Sequence, residues 1–344
     1  MKNVFNLIII LLSGTVAQAQ WTEGSIYLTK SLSKESIKEV YARTSGGGIT
    51  VEGASDSEAR VEVYVKANNN HSDLSKEEVK ARIEEDYDLE VTAASGKVTA
   101  IAKPKHFNLN SKRTLNIGFK FYVPQQTDTD LNTSGGNISL SKLSGKQDFT
   151  TSGGGLTLND LTGKINGKTS GGNITVSNVR DQMDLSTSGG GIDVENSSGT
   201  IRLATSGGNI NLEKLKGEIN ANTSGGSIRA EGISGELITH TSGGSITLRD
   251  HAGSVDASTS GGNIDMEIDE IGKYITASNS GGNVKVKMPS NKGVNLKLRG
   301  ESIHINSLQN FTGDQDEHKV VGKMNGGGIP VDISTSGSIT LALQ

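Results

Sequence analysis

Six histidines, at positions 71, 106, 240, 251, 304 and 318, are the side chains best suited to proton transfer or metal binding at neutral pH. None of them pairs with another at the spacing of a zinc motif. His240 and His251 fall in neighbouring half-repeats and could approach in space, but the expectation is that all six are solvated surface histidines. Asp265, Glu267, Asp269 and Glu270 gather four carboxylates in six residues. Such a set could bind a calcium ion, and a solvated acidic face is the expected reading. The stretch Gly163-Lys164-Ile165-Asn166-Gly167-Lys168-Thr169 resembles a phosphate-binding loop, but it has three residues between its glycines where that loop has four. No Gly-x-Ser-x-Gly elbow stands in a strand-to-helix context. A calcium β-roll would need glycine and aspartate where Gly153-Gly154-Gly155-Leu156-Thr157-Leu158 has leucines, so no ion is implied. The sequence therefore predicts no catalytic, cofactor-binding or metal-ligating residue, and no enzymatic activity.

Composition points the same way. The chain has 344 residues, 45 of them glycine, and no cysteine, with only 4% aromatic residues. Glycine is thus nearly twice as frequent as the roughly 7% of average proteins. Without thiols a disulfide scaffold, an iron–sulfur centre, a cysteine-ligated zinc module and a lipid-anchored lipoprotein are excluded. The near balance of 34 basic and 38 acidic residues, with no long single-sign block, gives no nucleic-acid footprint. Few aromatics also means no sugar-stacking platform of the usual kind.

Residues 1–19 read as a secretory signal peptide. Lys2 gives the positive start, Val4 to Leu12 the apolar stretch, and Ala17-Gln18-Ala19 the cleavage site, with cleavage expected before Gln20. That stretch is too short to span a bilayer, and no later segment reaches the roughly 20 apolar residues a spanning helix needs. The expected location is outside the cytoplasm: cell surface, periplasm or extracellular space.

The elements that would position any site follow from a repeat. Thr-Ser-Gly-Gly begins at Thr133, Thr151, Thr169, Thr187, Thr205, Thr223, Thr241 and Thr259, each 18 residues after the last. Asn279-Ser280-Gly281-Gly282 follows after 20, an isolated copy starts at Thr44, and a degenerate one at Thr335. Reading down the period, Ile138, Leu156, Ile174, Ile192, Ile210, Ile228, Ile246 and Ile264 form one aliphatic column. A second stands two residues on, from Leu140 to Met266. Spacing of two is that of a strand with one inward face. A second half-repeat starts at Leu143, Leu161, Leu215 and Ile233, and leads to Ile165, Met183, Ile201, Ile219, Leu237 and Val255.

A unit so small cannot close a core, but stacked copies about 4.8 Å apart turn each column into a continuous ladder. The fold expected is all-β: a parallel β-solenoid with 18-residue coils of two short strands. About ten coils would make a rod on the order of 50 Å long. Glycines are expected in the turns, where positive φ or close coil-to-coil approach excludes a side chain. The residue after Gly-Gly (Asn137, Gly155, Asn173, Gly191, Asn209, Ser227, Ser245, Asn263) is expected to take the left-handed region. Residues 20–130 read as irregular first coils and a cap, and 131–344 as the repeat domain. Val61, Val63 and Val65, and Leu115 to Val123, alternate as strands. Ser75 with Glu78 makes a capping box that starts a short helix over Lys76 to Tyr87. Such a cap would cover the open strand edges of a solenoid.

Phe121-Tyr122-Val123-Pro124 leading to Leu131-Asn132-Thr133-Ser134-Gly135-Gly136-Asn137-Ile138, the serial Thr-Ser-Gly-Gly-x-Ile copies, and Gly326-Gly327-Gly328-Ile329-Pro330-Val331 resemble the putative-adhesin family of secreted β-strand-repeat proteins, a domain of unknown function. The likeness covers roughly residues 36–344. It implies a β-solenoid in the cell envelope or on its surface, with a glycan or protein surface as partner, and it brings no catalytic residues to carry over. Two other roles stay open: a structural or regulatory periplasmic component, and a polysaccharide-active enzyme. The inward/outward assignment predicts that Ile210→Asp destabilises the chain by roughly 3 kcal/mol or more, while replacing its neighbour Asn211 costs about 0.5 kcal/mol or less. Denaturant unfolding of the two variants checks this, and equal effects would reject the assignment.

Overall fold

The structure, a computed structural model, describes residues 25–68, 74–106 and 113–344. The signal peptide expected at 1–19 lies outside them. The described residues are nearly all β, with one α-helix, Lys76–Asp86, and one short 3-10 turn, Asp56–Glu58. Ser75 caps the helix as the sequence predicts: its hydroxyl accepts the Glu78 N–H, while the Glu78 carboxylate accepts the Ser75 N–H. Val79 and Ile83 are the apolar side chains it buries.

In the repeats each residue pairs, in parallel, with the residue 18 positions on. Ile174–Ser177, Ile192–Glu195, Ile210–Glu213 and Ile228–Glu231 form successive rungs of a first ladder, with Ile192 opposite Ile210 and Ile210 opposite Ile228. Arg180–Thr187, Ser198–Thr205, Lys216–Thr223 and Ser234–Thr241 form the rungs of a second. Four longer strands, Ile138–Thr151, Leu156–Lys168, Ile246–Thr259 and Ile264–Asn279, run round the corner and serve both ladders. The aliphatic columns are inward throughout, Ile210 and Leu203 being 0% and 2% exposed, and they join one core. That core excludes water along its whole length, and hydrophobic burial is its main source of stability.

The sheet as a whole is mixed. At the amino-terminal end the chain does not stack in sequence order. Ile49–Ala54 lies between Leu115–Pro124 and Ile138–Thr151, and Glu39–Thr44 lies between Lys97–Pro104 and Asp128–Thr133. Antiparallel strands close this end: Arg60–Ala67 and then Ser25–Ser31 outside Leu115–Pro124, and Tyr87–Ala94 outside Lys97–Pro104. The other end closes similarly, with Lys319–Met324 and Phe311–Gln315 antiparallel beyond Val294–Arg299. Asp128–Thr133 continues into the repeats, so both regions share one sheet.

One corner of each coil explains the tetrad. Thr205 is buried; its Oγ1 donates to the carbonyl of Gly190 in the preceding coil (2.8 Å) and accepts the N–H of Gly208 in its own (3.3 Å). The same relay recurs at Thr133, Thr151, Thr169, Thr187, Thr223, Thr241 and Thr259. Asn279 takes it over with an amide that donates to Gly262. The early copy at Thr44 is brought directly under the repeats, since Thr133 Oγ1 donates to Gly47, 86 residues away. Thr335 likewise reaches back to Gly282. A buried carbonyl and a buried N–H are thereby satisfied at every step, each bond contributing about 1 kcal/mol net.

The second glycine of the tetrad is needed for space. A Cβ on Gly208 would lie 2.0 Å from the Gly190 carbonyl oxygen, whereas one on Gly207 would meet nothing nearer than 3.6 Å. The residue after Gly-Gly is not left-handed, contrary to the sequence expectation. Positive φ belongs to the opposite corner, at Lys142, Asp160, Asn178, Asn196, Lys214 and Asp250, each just before the second half-repeat. Asn209 stays out of that region because both its groups bond between coils. Its carbonyl accepts the Ile192 N–H (2.9 Å), and its Oδ1 accepts the Ser227 N–H (2.8 Å). Gly208→Ala is therefore expected to destabilise by about 3 kcal/mol or more and Gly207→Ala by about 0.5 kcal/mol or less. Thermal or denaturant unfolding of the pair measures the difference, and similar losses would refute the close-approach account.

Candidate functional site

The alternation that sends Ile192, Val194, Ile210, Leu212, Ile228 and Ala230 inward sends Asp193, Glu195, Asn211, Glu213, Arg229 and Glu231 outward. Parallel in-register pairing then stacks Glu195 on Glu213 and Glu213 on Glu231. An open groove of about 480 Å³ runs over these rungs, lined by Thr175, Asp193, Glu195, Asn211, Glu213, Arg229 and Glu231 together with Val176, Val194 and Leu212. Like charges stacked on one face repel. The chain relieves this with Lys214, held at φ 53° on the corner, whose ammonium lies 2.5 Å from the Glu213 carboxylate. The Glu213 hydrogen bond and charge, followed by the charges of Glu195 and Glu231, raise the Lys214 pKa. Asn211 Nδ2 donates to Asp193 Oδ1 at 2.6 Å. The groove thus offers a row of hydrogen-bond acceptors and negative charge on a rigid, flat support, and it suits contact with an extended surface.

The carboxylates singled out near Asp265 are not brought together. Asp265 pairs with Arg249 at 2.7 Å and Glu267 with Lys287, each on an adjacent strand. Asp269 and Glu270 are exposed where the register with the preceding strand is irregular, and the two extra residues that break the 18-residue period fall farther on, between Ile271 and Ile275. Among the described residues no group of three or more metal-ligating side chains is placed to hold an ion. Thr169, at the end of the phosphate-loop lookalike, is buried in the corner relay. On the second ladder, Tyr274 donates to Glu236 at 2.5 Å; burial and this carboxylate push the phenol up to about 12. Burial also raises the Asp256 carboxyl, which sits one strand from Glu236 on the same open face.

Among the described residues the histidines do not form a site, and His71 lies outside those residues. His240 is exposed, with Nδ1 2.9 Å from Ser258 Oγ. His251 corrects the expectation of solvated histidines, because it is fully buried. It occupies the corner column of Leu143, Leu161, Val179, Leu215 and Ile233, and that column was the signal that could have placed it inside. Its Nε2 lies 3.2 Å from the Ser254 carbonyl, which can only accept, so Nε2 carries the proton. Nδ1 has no partner, and neither does the buried hydroxyl of Thr239.

Burial lowers the His251 pKa below its ordinary 6.5, against smaller opposing effects from the Ser254 and Ile233 backbone and Asp269. Below about 6.5 the unfolded chain takes up a proton that the folded chain refuses. Stability attributable to this residue is therefore complete above that pH, falls as the pH drops through it, and levels off beneath the folded value. Relative to wild type, His251→Leu is expected to gain stability progressively below about pH 6.5. Denaturant unfolding from pH 8 to 5 measures it, and a pH-independent difference would contradict the assignment.

Among the described residues no helix is long and apolar enough to cross a membrane. No family model matches the chain, and no curated protein matches it. Among solved structures, it is similar to a putative cell adhesion protein from Clostridium sporogenes, with 11% identity, a TM-score of 0.19, and coverage of 92% of this chain and 98% of that one. It is also similar to a putative adhesin from Bacteroides fragilis, with 13% identity, a TM-score of 0.20, and coverage of 92% and 96%.

Proposed function

We propose that this chain is an exported, non-enzymatic β-solenoid that acts as an adhesin-like rod, binding a glycan or protein surface at the cell surface or in the envelope. The observation that carries this reading is the coil-on-coil register. The same polar positions recur on adjacent rungs, from Thr175 through Asp193 and Asn211 to Arg229, and from Ser177 through Glu195 and Glu213 to Glu231. A surface built this way presents a polar position on every rung, and in Glu195, Glu213 and Glu231 the same carboxylate, at the strand spacing of about 4.8 Å. It binds by many weak, similar contacts where a pocket would use a few precise ones, and multivalent contact of that kind supports adhesion. The groove over these rungs is open along its length, so it accommodates a polymer or a protein face better than a small enclosed substrate. Export rests on the signal peptide read in residues 1–19.

Protease shaving of intact cells, with antibody detection beside an internal control, tests the location. The adhesin reading expects release of the chain from unbroken cells. Full protection would instead assign it a structural or regulatory role inside the envelope.

A further inference from the structure

At the amino-terminal end the two outermost strands leave part of the core uncovered. Tyr87–Ala94 pairs only with Lys97–Pro104, and Ser25–Ser31 only with Arg60–Ala67, so each has a free edge among the described residues. Alternation points Tyr87, Leu89, Val91 and Ala93 at the core, yet only Tyr87 is buried, and the other three stay partly exposed. On the other outermost strand Ile26 and Leu28 are 49% and 39% exposed, two of the four large apolar side chains left so open among the described residues. A groove of about 540 Å³ opens here, lined by Tyr27, Leu28, Ile83, Tyr87, Leu89 and Val91. That volume falls within the roughly 300–1,000 Å³ of small-molecule sites. From Tyr87 to Val91 the strand runs about 13 Å.

One end of this groove carries a cation without an ion pair. Lys30, partly buried, donates from Nζ to the Val91 carbonyl at 3.0 Å, and no carboxylate of the described residues pairs with it. An ammonium donates up to three hydrogen bonds, so Lys30 can hold Val91 and a carboxylate together. Glu84, the acidic residue of the lining, is answered by Lys80 one turn back at 3.8 Å. Both edges resist an added strand: the register of Ser25–Ser31 breaks between Ile26 and Leu28, and Lys30 reaches across to a carbonyl of the other edge strand. What remains is apolar side-chain surface ending at an ammonium, which matches an apolar chain ending in a carboxylate. We propose that the groove binds a free medium-chain fatty acid, its chain along Leu28, Leu89 and Val91 and its carboxylate accepting from Lys30. Asp88 and Glu90, exposed on the other face of the same strand, disfavour an anionic membrane, which draws on a cluster of cations. The proposal does not rest on the adhesin-like reading.

Calorimetric titration of the purified chain with sodium dodecanoate, below the concentration at which it forms micelles, tests this. Saturable one-to-one binding is expected. Lys30→Gln and Leu28→Asp, each with circular dichroism as wild type, should each weaken it at least about tenfold. Leu28 is exposed, so its replacement leaves the core intact, and Lys30→Gln tests the site without adding a charge to the groove. Dodecyltrimethylammonium, the same chain on a cationic head, should bind wild type at least about tenfold more weakly than dodecanoate. A wild type without saturable binding overturns the proposal. So does binding that both variants retain, which would mark adsorption elsewhere, or equal binding of the two amphiphiles. A wild type that ignores free dodecanoate but binds vesicles of anionic phospholipid would give the patch to a membrane surface, and a dimer that Leu28→Asp dissociates would give it to a second copy; either result overturns the proposal.

Discussion

The structure depends on how closely one coil lies on the next at the Thr-Ser-Gly-Gly corner. At Gly208 the carbonyl of Gly190 occupies the place a β-carbon would need, so only hydrogen fits. The same closeness lets Thr205 reach both its own coil and the one before, tying a buried carbonyl and a buried N–H into one hydrogen-bonded column. Sterics forbid larger residues and polar satisfaction demands a short hydroxyl, so the tetrad is fixed by two independent constraints. Sequence distance does not matter to it. Thr44 and Thr335 join the column from segments far away in the chain because the geometry accepts any strand that ends in the same way.

That corner frees the rest of the surface. With the inward columns fixed by burial and the corner by close approach, the outward positions carry no structural requirement beyond solubility. They vary accordingly: Asp193, Asn211 and Arg229 share one column, while Glu195, Glu213 and Glu231 share the next. Stacking also amplifies whatever stands there. A single glutamate is unremarkable, but three in register generate a field that needs Lys214 beside them, and they leave a stripe of acceptors on a rigid plane. Any function of the faces is then a property of the period as much as of individual residues.

The sequence shows its inward columns plainly because their spacing of two and period of 18 admit one arrangement, and a slip of one residue would expose every isoleucine. The cap helix is legible for the same reason: Ser75 and Glu78 satisfy donors that only a helix start leaves open. Order in space is harder. Nothing local in Glu39–Thr44 says that it will lie between strands from 97 and 128, because that placement comes from long-range pairing. The left-handed corner is not legible at the residue after Gly-Gly, since asparagine there fits both a positive φ and a side-chain ladder. Only the hydrogen bonds from Ile192 and Ser227 decide between them. The burial of His251 is legible in its column and not in its residue type.

His251 and Thr239 also show where the repeat tolerates error. Each sets a polar atom without a partner into a core otherwise saturated by burial and relay bonds. Such an atom costs about 1–3 kcal/mol. A compact domain can lose much of its stability to one such site, but here each coil touches chiefly its neighbours, and the remaining rungs hold. His251 precedes the strand that carries the two-residue insertion, where the register with Ile264–Asn279 shifts three times. The 18-residue rule ends at this corner: beyond it Ile264 lies opposite Val284, 20 residues on, and Ile275 opposite Val331. The coils before it keep strict pairing, and the stack continues beyond it through Val331 and Ile339 to the carboxyl-terminal strands.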